Sequence, residues 1–146
     1  MRSPLQILAI PYRKGKEIQY CVFRRSDSAE WQFIAGGGED NETPTEAAVR
    51  EICEETGIAI SDIMQLTSMT YLPVNIIQKD CRQHWANDIY VIPEYHFAFE
   101  CTNGITISNE HTAYVWVNYE EALRILTWES NKTVLYELNC RLLAEK

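Results

Sequence analysis

Residues 36–58 constrain this chain most: a run of three glycines leads into a helix with both ends written in the sequence. Thr43 and Glu46 are spaced as a capping box, Pro44 takes the first helical position, and Gly57 stands where the last turn must stop. Ala48, Val49, Ile52 and Cys53 share one side of that helix and form the stripe expected to face a sheet. The other side is acidic. Glu39, Asp40, Glu42, Glu46, Glu51, Glu54 and Glu55 place seven of the 21 acidic residues within 17 positions. At about 100° per residue, Glu51, Glu54 and Glu55 fall in an arc of roughly 100° on the polar side.

A solvated acidic face is the simplest reading, but this one carries two penalties. Glu54 and Glu55 sit in the last turn, where the helix dipole disfavours negative charge. Carboxylates three and four apart repel by roughly 0.2–0.5 kcal/mol per pair. A chain that accepts both points to a compensating cation, and hard carboxylate oxygens select Mg²⁺, Mn²⁺ or Ca²⁺ over zinc. Gly36, Gly37 and Gly38 lie between a strand and the helix, where backbone without Cβ can approach a bound anion. No Gly-Lys-Ser/Thr follows them and no G-x-G-x-x-G is present, so this is neither a P-loop nor a dinucleotide fingerprint. Alone, three glycines read as a turn. Beside the acid cluster they point to a phosphate-bearing ligand held through metal.

The remaining pattern supplies a framework. Leu5–Ile10, Ile18–Arg24 and Trp31–Ile34 read as strands or short apolar runs, and Met64–Leu72, Asp88–Glu100 and Thr112–Val117 as further strands. Glu120–Leu126 and Ser130–Leu143 read as helices, the second with Val134, Leu135, Leu138 and Leu142 near helical spacing. Strands interleaved with two or three helices predict an α/β sandwich. At 146 residues without linker or repeat, the expectation is one domain over residues 1–146. The net charge of -8 has the wrong sign for a general nucleic-acid binder. Apolar runs such as Ile7–Ile10 are too short to span a bilayer, and Gln6 and Pro11 break up a signal-peptide core. Five scattered cysteines without C-x-x-C spacing read as free thiols, so the expected location is cytoplasmic, with no membrane partner.

Gly36, Glu42, Arg50-Glu51-Ile52, Glu54-Glu55 and Gly57-Ile58 fit G-x5-E-x7-R-E-U-x-E-E-x-G-U at every fixed position, with U a bulky aliphatic residue. By this segment the chain resembles the Nudix (MutT-like) hydrolases. The resemblance implies an α/β/α sandwich with a mixed β-sheet and cleavage of nucleoside diphosphates linked to another moiety, with Mg²⁺ or Mn²⁺ as cofactor. It maps Glu51, Glu54 and Glu55 to metal ligands, Arg50 to the arginine that orients a box glutamate, and Gly36 to the glycine shaping the loop. The segment Glu110-His111-Thr112-Ala113-Tyr114-Val115-Trp116 is similar to one in bacterial dATP and dihydroneopterin-triphosphate pyrophosphohydrolases, which supplies an acid from outside the box. That maps Glu110 to a further metal ligand or to the base that activates water, a role open to Glu54 as well. It maps Arg2, Arg24, Ala35, Gly36, Gly37 and Ser130 to substrate contacts, with a helix N-cap equally open for Ser130. Residues 72–92 match nothing in the family pattern, and Tyr71, Trp85 and Tyr90 there read as packing residues or ring-stacking ones.

The implied partner is a small-molecule nucleoside or pterin triphosphate acted on by a monomer or homodimer. Water would attack phosphorus in line with departing pyrophosphate. The alternatives are a hydrolase of dinucleoside polyphosphates or nucleotide sugars, and a binding module that senses a nucleotide without cleaving it.

Overall fold

The computed structural model describes residues 1–145. The order is β1 (Arg2–Arg13), β2 (Gln19–Arg25), β3 (Trp31–Gln32), β4 (Ile34–Glu39), α1 (Pro44–Thr56) and β5 (Met64–Pro73). A 3₁₀ turn at Val74–Ile76 and the short α2 (Lys79–Arg82) precede β6 (Val91–Glu100), β7 (His111–Val117), α3 (Tyr119–Ile125) and α4 (Glu129–Ala144). Among the described residues, seven strands make one mixed sheet in the order β3-β2-β1-β6-β5, with β4 also on β1 and β7 on β2. The centre is β1, parallel to β6 from Gln6 opposite Glu94 to Tyr12 opposite Glu100. Its first half pairs antiparallel with β4 and its end with β2, so one strand anchors both.

Strand alternation divides the core. Leu8, Ile10 and Tyr12 enter a cluster with Val134, Leu135 and Leu138 of α4, while Ile7 and Ala9 meet Ala47, Ala48 and Ile52 of α1. The result is the expected α/β/α sandwich, sheet between α1 and α3–α4. The helix ends also match: Thr43 Oγ1 accepts from Glu46 N at 3.1 Å, Glu46 Oε1 accepts from Thr43 N at 2.9 Å, and Gly57 is left-handed at φ 75°. A second capping box, Asn118 with Glu121, opens α3.

Three expectations change. Gly36–Gly38 do not form a turn but belong to β4, paired with β1. The buried side of α1 is Ala47, Ala48, Glu51, Ile52, Glu55 and Thr56, whereas Cys53 is exposed and Val49 half-buried. The helix packs on the sheet with one side and on the irregular segment approaching β7 with another, where Thr106 N donates to Thr56 O at 2.9 Å. Ser130 does not cap α4, because the helix begins one residue earlier with Trp128 as its cap residue. Residues 74–90 form a strap closed by Val74 N donating to Tyr90 O at 3.0 Å. Trp85 Nε1 and His84 Nε2 both meet the Arg2 carbonyl oxygen at 2.8 Å, which lashes the strap to the start of β1. No helix among the described residues is long and apolar enough to cross a membrane.

Glu137 ties α4 to the outer strand. The β5–β6 register shifts between Gln65 and Met69, and Glu137 accepts the N–H groups of Thr67 at 2.7 Å and Ser68 at 2.8 Å there. Burial pushes its carboxyl up, but those N–H groups, the Ser68 side chain and Arg141 outweigh it and hold it at about 2. Glu137→Gln is expected to lower stability in urea melts by about 1–3 kcal/mol at neutral pH. The folded carboxyl titrates below the unfolded one, so its contribution is complete above about pH 4.5 and lost as pH falls toward about 2. The gap between parent and variant should close over that window.

Candidate active site

The glycines of β4 open both faces of one strand. A Cβ on Gly36 would collide with the Glu51 carboxylate, and one on Gly37 with the Arg2 guanidinium. Successive residues of a strand point to opposite faces, so an α1 carboxylate seats on one side of β4 and an arginine on the other. Burial pushes the Arg2 guanidinium below its ordinary value; one nitrogen donates to Gln6 Oε1 at 2.8 Å, while Nε is buried with no hydrogen-bond partner among the described residues.

Arg50 organises the acidic side. Its Nε donates to Glu42 at 2.8 Å, Nη2 to Glu42 at 3.0 Å and to the Gly37 carbonyl at 2.7 Å. Nη1 donates to Glu51 at 3.0 Å and to both oxygens of Glu54 at 3.2 Å. Arg50 thus does orient box glutamates, but its stronger anchor is Glu42, held below its usual range by that pair. Despite Arg50, burial pushes the Glu51 carboxyl up to about 7. Glu54 is the exposed member, at 54% of its side chain.

Glu55 lies at 2% exposure, not on a solvated polar side. Ser108 Oγ donates to its Oε2 at 2.8 Å and His111 Nδ1 stands 2.9 Å from the same oxygen. Burial works against its ionisation, but His111 and Ser108 prevail and hold the carboxyl below its usual range. Glu110, 55 residues further along, brings its carboxylate against that of Glu55; burial and then Glu55 push the Glu110 carboxyl up. Its carbonyl accepts from Ser26 N at 2.9 Å, and its N–H donates to Ser108 Oγ at 3.2 Å, so the 108–111 turn is laced to the end of β2.

These elements border an open cleft of about 570 Å³ that includes Arg2, Gly36, Arg25 and Glu110. Gly37 lies beneath Arg2, and Ala35 is half-buried opposite Leu8 on β1. Arg24 and Ser130 do not line this cleft: Arg24 follows Tyr20 and Val22 onto the α4 side, exposed, and Ser130 lies in the first turn of α4. Arg25 takes the lining position instead, fixed to Asp27 by bonds of 2.8 and 2.7 Å. Strand alternation put the two arginines on different faces, but nothing in the sequence said which face meets the cleft. Ile76, Ile77 and Cys81 of the strap also line it, from the stretch that carried no readable pattern. Tyr71 and Tyr90 are 62% and 73% exposed and line none of it, and Trp85 serves as the strap's anchor.

The NUDIX domain model matches residues 3–138. The chain belongs to the NUDIX family. A NUDIX hydrolase from Listeria monocytogenes superposes with a TM-score of 0.86 at 40% identity, over 98% of this chain and 97% of that one. A Haemophilus influenzae relative named dihydroneopterin triphosphate diphosphatase is 27% identical over 92% of this chain and 88% of its own. A mouse relative named bis(5'-nucleosyl)-tetraphosphatase (asymmetrical) is 29% identical over 88% of this chain and 83% of its own. This NUDIX chain is thus a hydrolase of phosphoric anhydride bonds, and its family uses divalent metal ions. The residues fit such an ion by their chemistry. Glu51, Glu54, Glu55 and Glu110 are hard oxygen donors, and burial pushes two of them, Glu51 and Glu110, toward protonation. Among the described residues no three such side chains converge at ligating distance, and Arg50 spans Glu51 and Glu54.

Gly36→Ala is expected to displace the Glu51 carboxylate, lowering stability by about 1–3 kcal/mol in thermal melts and abolishing hydrolysis. A variant as stable and active as its parent would show that Glu51 does not depend on the missing Cβ.

Proposed function

We propose that this NUDIX hydrolase cleaves a pterin or nucleoside triphosphate, dihydroneopterin triphosphate or dATP, to the monophosphate and pyrophosphate, using Mg²⁺ or Mn²⁺. One observation carries the reading: Glu110, which lines the cleft together with Arg2 and Arg25, reaches Glu55 of α1 from 55 residues away. The likeness to the Haemophilus influenzae enzyme supports the substrate class. Residues 1–146 act as one catalytic unit.

Glu51, Glu54, Glu55 and Glu110 would hold the ion, which when bound neutralises phosphate charge and makes water a better nucleophile at neutral pH. The protein's own residues do the rest. Arg2 and Arg25 draw the phosphates into a chain whose net charge of -8 otherwise repels them. Arg50 holds Glu51 and Glu54 in fixed rotamers against the Gly37 carbonyl. Ser108 and His111 fix Glu55. Glu110 takes the water proton, a role for which it is freer than Glu54, which Arg50 engages. Bond breaking on the far side of the attacked phosphorus then releases pyrophosphate.

The test is product identity. With Mg²⁺ and either triphosphate, phosphate assays should stay blank until inorganic pyrophosphatase is added, and excess EDTA should stop turnover. Direct phosphate release, or activity confined to dinucleoside polyphosphates as the name of the mouse relative indicates for that protein, would replace this reading with the second one.

Ser108→Ala is expected to weaken Mn²⁺ binding roughly 10-fold or more in titration calorimetry, as losing support for a metal-binding carboxylate does elsewhere. Unchanged affinity would remove Glu55 from the ligand set.

A further inference from the structure

Beyond Gln6, on the same face of the sheet, lies a buried polar row that the chemistry above does not use. Gln6 stands opposite Gly37 on β4 and opposite Glu94 on β6, and Glu94 opposite Thr70 on β5. Paired residues of neighbouring strands share a face, so the Glu94 side chain lies beside that of Gln6, which lines the cleft next to Arg2. Glu94 is 5% exposed, and His96, the next residue on that face, is 1%. His96 Nε2 lies 2.9 Å from Glu94 Oε1 and Nδ1 lies 3.1 Å from Ser68 Oγ. Ser68 is itself fixed by Glu137 at its backbone N–H. A carboxylate buried in a sheet is unfavourable unless partnered on all sides. Here one oxygen is engaged by His96, while the other has no hydrogen bond among the described residues and is not sealed from solvent. The strap supplies Ile76, 59% exposed, and Ile77 as an apolar wall for a flat ring.

We propose that Glu94 determines ring specificity, accepting the paired donors of a heterocycle that carries an amino group beside a ring N–H. A carboxylate only accepts. Pterin and guanine present two adjacent donors to it, whereas adenine presents one donor beside an acceptor, leaving a lone pair against the carboxylate. His96, held by Ser68, fixes one oxygen of the carboxylate and leaves the other, on the face it shares with Gln6, to meet the ring. The substrate in this inference rests on the triphosphate reading above; the ring preference stands apart from it.

Two measurements test it. In the intact parent protein, 7,8-dihydroneopterin and guanosine, without phosphates, should bind roughly tenfold or more tighter than adenosine in equilibrium dialysis. In Glu94→Gln with Mg²⁺, the ratio of kcat/KM for dihydroneopterin triphosphate over dATP should fall roughly tenfold or more, because an amide matches the adenine edge. Glu94→Asp should keep the parent's order. No ring preference in the parent, or an unchanged ratio in a folded Glu94→Gln, overturns the proposal; if that variant does not fold, the binding of the unphosphorylated rings decides. Absence of triphosphate hydrolysis by the parent would instead defeat the functional reading, with the dialysis still deciding the role of Glu94.

Discussion

The site depends on one guanidinium. Arg50 bonds to Glu42, Glu51, Glu54 and the Gly37 carbonyl, so one planar fork sets three carboxylates and ties their helix to the glycine strand. Without it, the acids crowded along α1 and its approach would repel one another beside a helix C-terminus that already disfavours them. Lysine, with one point charge, does not reproduce this geometry. The arginine does not neutralise the cluster: Glu51 still rises to about 7, and Glu110 rises beside Glu55. Burial is the main cause of both shifts, and a divalent ion bound as proposed would offset it.

The second requirement is backbone without side chains. Glu51 and Arg2 carry opposite charges and press on opposite faces of β4 at consecutive residues, Gly36 and Gly37. A Cβ at either would push one charged group away from the cleft. The glycines therefore serve as openings in a strand, and the ladder to β1 holds them in place. Because the same β1 pairs with β6, the polar row from Gln6 to Glu94 is tied by backbone pairing to the Arg2 end of the cleft. Under the proposed roles, chemistry and ring recognition would share one scaffold strand.

Much of this was legible in the chain. The limits of α1, the α4 stripe Val134, Leu135, Leu138 and Leu142, and the strands that became β5, β6 and β7 follow from periodicity and end signals, because those are local properties of a helix or strand. The metal-type chemistry followed from acids accepted against the dipole. What was misjudged depended on a neighbour distant in sequence. Cys53 and Glu55 exchanged expected exposure because α1 packs on residues 106–111 as well as on the sheet.

The sequence by itself determined which residues share a face, where α1 starts and stops, and which family its acid cluster belongs to. Tertiary structure decided which face met what. It chose Arg25 over Arg24 for the cleft, buried Glu55 against Ser108 and His111, and brought Glu110 to it across 55 residues. It also folded residues 74–90 into a wall of the cleft and set Glu94 beside Gln6. The physical reason is range: dihedral preferences and residue periodicity act over one turn or one pleat, whereas strand pairing and packing select among faces that are locally equivalent.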